Sequence, residues 1–332
     1  MQRALYTSRW RGVGMGLFVV GAALVGVVVR DAYYLSILTF IAIHSIIAVG
    51  LCLLIGYAGQ ISLGHAAFYA LGAYTSAILT TKSGWSPWLA LPVAILVSCV
   101  VAYVLGVPAL RLKGHYLAMA TLGFGMIVNI VLKEFTAVTG GNSGLTDIPA
   151  LSIGGLALST DRRFYFLAWL AASAVLLFSA NVADSRAGRA LRAVHGSEQA
   201  AAISGVDIAR YKIKVFVLSA GYAAVAGFLY AHYVKFISPQ PFDFKFSIEL
   251  LVMVMLGGAA SVWGGLFGAA VVTVLGEVLR NLGDYDIVAF GVILTVVMIV
   301  LPVGVLGWIG RIGQARRVRR LALARAAPAP VE

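Results

Sequence analysis

Charge is what this sequence has least of. Only 11% of its 332 residues are Asp, Glu, Lys or Arg, whereas a water-soluble chain carries about a quarter. That shortage excludes a soluble globular domain, whose surface could not be covered. Acidic residues are the scarcer sign, 13 against 25 basic ones. Within the apolar runs carboxylates are nearly absent, and Glu249 and Glu277 lie near the ends of apolar runs, where water is within reach. A proton- or sodium-coupled transporter lines its path with ionisable groups, so the driving force here is expected to come from elsewhere. Cysteine is limited to Cys52 and Cys99, both inside apolar runs without ligand-like neighbours, which reads as two buried structural thiols and no metal. GxxxxGK[ST], HExxH, GxSxG and paired-Cys motifs are all missing, so no P-loop hydrolysis of nucleotide is expected of this chain itself.

What is present is apolar surface: 61% of the residues are hydrophobic. The runs are about 15 to 25 residues long and lack the alternation of barrel strands. In lipid only a helix satisfies its own backbone hydrogen bonds within one segment. The fold class is therefore all-α, a polytopic membrane helix bundle. Ten spans are expected, at 12–29, 33–56, 66–80, 87–110, 116–132, 164–182, 214–236, 248–263, 265–282 and 286–309. The first follows Arg3, Arg9 and Arg11 and ends at Arg30 and Asp31 without a small-residue cleavage site, so it reads as a span and not a removable signal. With both termini cytoplasmic, 17 of the 25 Lys and Arg fall inside, as the positive-inside rule requires. Topology thus accounts for the net charge of +12, and nucleic acid is not an expected partner.

Two connections are too long to be simple turns. Residues 133–163 carry Gly and Pro punctuation and are expected to form an ordered outer loop with a short helix or hairpin. Residues 183–213 read as two short amphipathic helices broken at Gly196 and Gly205, with Ser197 capping the second. The basic tail, 311–332, is expected to orient the chain at the lipid surface.

The most informative absence is local. From Tyr34 to Thr81 there are 48 residues without Asp, Glu, Lys or Arg. One helix of that length would reach roughly 70 Å, over twice a hydrocarbon core of about 30 Å. The chain must reverse, and the polar, Gly-rich place to do so is Gly56 to His65, with Gly59, Gln60, Ser62 and Gly64 between them. Such a break lies at membrane depth only where protein or a water-filled cavity satisfies the freed backbone groups, and interrupted apolar segments point to transport paths. Glycines at these positions equally suit close helix packing. An amide, a hydroxyl and an imidazole do not, so Gln60, Ser62 and His65 either touch a substrate or hold the bend; His44 is expected to bond a neighbouring carbonyl. A second interruption, at Gly257, Gly258, Ser261, Gly264, Gly265 and Gly268, suggests an internal repeat.

Four blocks then show a resemblance: "GYAGQISLGHAAFYALGAYTSAIL" (56–79), "TGGNSGLTDIP" (139–149), "GRALRAVHGSEQAAAISGVDIARYKIKVFVLSAGYAAVAGFLYA" (188–231) and "ISPQPFDFKFSIELLVMVMLGGAASVWGGLFGA" (237–269). In this order they resemble the LivM-type permeases of branched-chain amino acid ABC transporters. The resemblance implies an inner-membrane transport subunit, not an enzyme, working by alternating access beside a LivH-type permease. Two cytoplasmic ATPases of the LivG and LivF type would hold ATP and magnesium, this chain needing no cofactor, and a periplasmic binding protein would deliver Leu, Ile or Val. It also implies a coupling helix at 197–206, with Glu198, Ala201, Ala202, Gly205 and Asp207 as ATPase contacts. Thr139, Gly140, Gly141, Asn142, Gly144 and Leu145 would face the outer mouth, and the path is expected to be mostly apolar rather than a charged pocket. A urea or short-amide permease would share most of these blocks; a self-sufficient channel or secondary transporter is the competing class, and a membrane enzyme a distant third.

Overall fold

A computed structural model describes residues 2–112, 114–154 and 156–280, with Val288, Gly291, Val292, Thr295 and Gly304 beyond them. The described chain is almost entirely helical. In order the helices are α1 (Gln2–Val28), α2 (Ala32–Leu51), α3 (His65–Thr81), α4 (Pro87–Ala109), α5 (His115–Glu134), α6 (Thr136–Thr139), α7 (Asp161–Asp184), α8 (Arg186–Gly196), α9 (Glu198–Ile203), α10 (Ile208–Val234), α11 (Phe244–Gly257) and α12 (Val262–Leu279). Among the described residues six segments are long and apolar enough to cross a membrane: Ala32–Tyr57, Pro87–Ala109, His115–Glu134, Asp161–Asp184, Ile208–Val234 and Val262–Leu279.

Nine of the ten expected spans coincide with a helix, and the tenth, 286–309, lies outside the described residues, as does the tail. Span 248–263 is displaced. Its helix starts earlier, where the Asp243 carboxylate accepts from the Phe244 N–H (2.6 Å), and ends at Gly257, because Gly258 turns the chain with φ +104. The 133–163 connection holds both a short helix, α6, and a two-residue hairpin in which Ser152 pairs Ala157 and Ile153 pairs Leu156. Lys82 Nζ on Ala137 O (2.5 Å) and Trp88 Nε1 on Ser152 O (2.6 Å) bind it to the α3–α4 turn.

The bundle is organised around α2, α3 and α10. From Ile41 onward α2 is buried at nearly every position, and α10 over most of its length, while only a minority of the residues of α4, α5 and α7 are buried. Apolar burial cannot by itself drive helices together in lipid, so backbones approach where side chains are small. A side chain at Gly72 would collide with the Ala224 backbone, and one at Gly227 with the Tyr69 carbonyl, so α3 and α10 lock reciprocally. Cys52 is buried and Cys99 half-buried, both free thiols. His44 takes a hydroxyl rather than the expected carbonyl, its Nδ1 lying 2.9 Å from Thr273 Oγ1 of α12.

Candidate translocation site

The uncharged reversal is where the sequence places it. After Leu51 the backbone opens into a π-helical turn, Cys52–Tyr57, and the irregular chain runs to His65. Gly59 N–H reaches back to Ile55 O and Gln60 N–H to Leu54 O, each at 3.1 Å. Gly59 adopts φ +67, which side chains rarely accept, and an added Cβ would sit 3.2 Å from His195 Nδ1 on α8.

Other elements satisfy the backbone groups that the break frees. Leu63 N–H donates to Thr121 Oγ1 of α5 at 3.0 Å, and Ala66 N–H to Ser247 Oγ of α11 at 3.4 Å. His65 is buried and bonded through both ring nitrogens, Nδ1 to Ser62 Oγ (3.0 Å) and Nε2 to Ser219 Oγ of α10. Ser62 and His65 therefore use their capacity on the bend. Gln60 differs: it is 2% exposed, and among the described residues neither its amide oxygen nor its amide nitrogen has a partner. Buried polar groups are almost always hydrogen-bonded, so Gln60 is the member of the predicted trio with binding capacity to spare.

The second interruption is built from close approach. Side chains at Gly257, Gly264 and Gly268 would collide with the carbonyls of Gly264, Gly258 and Met253, which is how α11 and α12 fold tightly on each other. Ser261 starts α12, and its N–H donates to Gly258 O at 3.2 Å. The structure then brings the two interruptions together. A Cβ at Gly56 would strike the Ala259 carbonyl, and one at Gly265 would come within 2.8 Å of Val49 N on α2.

At the α8 end, the 183–213 connection forms α8 and α9 as expected, with Ser197 Oγ accepting from Ala200 N–H (3.3 Å) and Asp207 Oδ1 from Arg210 N–H (3.0 Å). Glu198 pairs with the largely buried Lys212 at 2.6 Å, and Ala201 is buried. Three of the five residues expected to contact an ATPase thus have intramolecular tasks, while Ala202 and Gly205 are exposed. Sequence reasoning missed Ile203, 89% exposed at the tip of α9; an isoleucine at the end of an alanine-rich helix was the available signal. It also missed contacts from α8 to the break, where the Arg192 guanidinium lies over the Tyr57 ring at 5.5 Å.

At the far end, Thr139 is buried, donates to Leu132 O (2.7 Å) and accepts from Gly141 N–H (3.2 Å). Positive φ at Gly140, Gly141 and Gly144 shapes the turn, and Leu145 pairs with Ile237 in an antiparallel bridge. Asn142 is exposed on it. The partners Thr121, Ser219 and Ser247 were not anticipated, although polar residues in apolar helices are themselves a signal.

Residues 33–302 match the family model described as branched-chain amino acid transport system, permease component. The chain is 35% identical over 315 residues to the high-affinity branched-chain amino acid transport system permease protein LivM of Salmonella typhimurium, covering 88% of this chain and 74% of that protein. Identity to the LivM protein of Escherichia coli is 34%, over 82% of this chain and 69% of the relative. The LivH permease of Salmonella typhimurium is 25% identical over 79% of this chain and 91% of its own length. No solved structure matches. A multi-pass helical chain with this extent of similarity belongs to the branched-chain amino acid transport permeases, the membrane-spanning subunits of ABC importers.

Proposed function

We propose that the chain is the LivM-type half of an importer for leucine, isoleucine and valine, paired with a LivH-type permease in a bacterial inner membrane. Two cytoplasmic ATPases bind ATP and magnesium and power the pair, a periplasmic protein delivers the amino acid, and both termini of this chain are cytoplasmic. The observation that carries this reading is the 35% identity to a LivM permease across 88% of the chain.

The geometry suggests how an engine elsewhere could act on the path. α9 and the turn after it present Ala202, Ile203 and Gly205 outward, and the Glu198–Lys212 pair ties α9 to α10. α8 touches the break directly through Arg192 on Tyr57 and His195 beside Gly59. An ATPase that moves α8 and α9 therefore pushes on the π-helical end of α2. The second break follows, because Gly56 and Ala259 are in contact. Gln60 offers the unused amide near this junction, and the Thr139–Leu145 turn holds the far-end loop against Ile237.

The test is uptake in cells lacking endogenous branched-chain transport but expressing all five components. Labelled leucine, isoleucine and valine should accumulate only when this chain is present, with excess unlabelled urea failing to compete. Uptake of urea or a short amide in their place would refute the substrate; accumulation without the ATPases would refute the importer.

A further inference from the structure

A cavity between α2, α11 and α12 lies toward the end of the bundle that carries Asp31 and Arg280. Its volume is about 320 Å³, at the small end of the range for small-molecule sites. Its lining combines three chemistries. Ile37, Phe40, Met253, Val272 and Leu279 are apolar; His44 and Thr273 form the hydrogen-bonded pair already described; Lys245, Glu249, Glu277 and Arg280 are charged.

The charges are arranged as two opposed couples. Lys245 Nζ lies 4.0 Å from Glu249 Oε1, one turn apart on α11, and Arg280 lies 3.6 Å from Glu277 Oε1 at the end of α12, where Glu277 also accepts from Tyr33 (2.9 Å). The carboxylates are the sheltered members, each side chain 26% exposed, against 58% and 78% for Lys245 and Arg280. Both contacts are longer than the 2.7–2.9 Å of a tight charge-assisted hydrogen bond, so all four groups retain capacity. Ionisable residues in helices of a membrane chain are costly and mark function by default.

We infer that this cavity is a binding site for a zwitterionic aliphatic amino acid, in which Glu249 and Glu277 receive the ammonium, Lys245 and Arg280 the carboxylate, and the α2–α12 apolar wall the side chain. A ligand lacking the ammonium leaves both sheltered carboxylates without their counterpart, and one lacking the carboxylate leaves both cations without theirs. The site lies on the same helices as the two interruptions, nearer the opposite end from α8. The inference rests on the transport reading and gives that path the charged station the sequence did not anticipate.

The experiment uses the assembled transporter in lipid vesicles. A Thr273→Cys variant places a thiol in the cavity, and the native chain, with only Cys52 and Cys99, sets the background. Leucine should slow labelling of Cys variants by a membrane-impermeant thiol reagent, while leucinamide and 4-methylpentanoate at equal concentration should not. Adding Glu249→Gln should abolish protection without abolishing labelling. Gly276→Phe serves where a charge variant fails to assemble: a Cβ at Gly276 meets nothing within 4 Å, so the ring fills the cavity without displacing backbone, and leucine uptake should fall at least about tenfold, the loss expected when charge-assisted contacts are denied. Equal protection by all three compounds, no protection in an assembly that imports leucine, or protection that follows phosphatidylethanolamine content instead of leucine would overturn the site. Protection by leucine in an assembly that imports none would overturn the transport reading and leave the site standing.

Discussion

Replacing Gly56 by alanine adds one methyl group, and the structure says where it goes. The new Cβ would fall inside the van der Waals envelope of the Ala259 carbonyl and 3.2 Å from Ala260 N. The obstacle is backbone, so no side-chain rotation relieves it. Either the π-helical end of α2 or the turn after α11 must shift, and over-packing of this kind costs typically 1–3 kcal/mol. Gly56 does not use a left-handed φ, so the penalty is purely one of contact. Gly123→Ala in α5 is the matched control: its Cβ meets nothing within 4 Å, and removing a helical glycine should stabilise by roughly 0.5–1 kcal/mol. The two alanines should therefore move stability in opposite directions. Thermal melting of the purified chain in detergent would show Gly56→Ala lowered by several degrees and Gly123→Ala unchanged or raised, with leucine uptake impaired only in the first. Equal melting of the two would refute the claim that the interruptions are held in backbone contact.

Gln60→Leu removes an unpartnered buried amide, so melting should hold or rise while uptake falls; normal uptake would show that the amide serves no ligand. Thr121→Val orphans the Leu63 N–H and should cost about 1–3 kcal/mol, read as a lower melting temperature, whereas an unchanged melt would mean the break is not capped by α5. Ile203→Asp alters a side chain 89% exposed, so the chain itself should melt as before while recovery of the ATPases on co-purification drops; undiminished recovery would remove α9 as a docking element.

What could be read from the sequence was whatever chain length or local chemistry dictates. A 48-residue uncharged stretch has to turn, and Gly56 to His65 is where it turns. Ser197 caps the helix it precedes, as read, because an oxygen one residue ahead of a helix needs no tertiary help; Asp207, read as an ATPase contact, caps α10 in the same way. Partnership between distant helices was not legible. A span that is apolar on all sides carries no stripe to say which face turns inward, so nothing local announced that Gly56 meets Ala259, or that Ser219 and Thr121 serve residues in another span. The start of α11 is local by contrast: the Asp243 carboxylate caps it at Phe244, which takes Lys245 and Glu249, read as the watery edge of a span, into the helix beside the cavity.

α2 connects the two ends of the molecule. Ala32–Tyr57 is 26 residues, about 39 Å of helix at 1.5 Å per residue. One end carries Tyr57 under the Arg192 guanidinium, with Gly59 beside His195 just beyond. The other end carries Ile37, Phe40 and His44 along the charged cavity. Between them the π-helical turn at Cys52–Tyr57 breaks the regular hydrogen-bond ladder, the kind of defect that accumulates at functional hinges. A body packed as tightly as α2 from Ile41 onward does not deform continuously; it tilts or stays. Displacement of α8, which also packs on α7 and α10, would reach α2 through Tyr57 and Gly59 as a tilt about that turn. Such a tilt changes the gap between Ile37, Phe40 and the α12 wall while the Gly56–Ala259 contact carries α11 along. On the proposed reading, one rigid lever with a soft joint at its driven end would be enough to carry movement of ATPase subunits to the charged cavity.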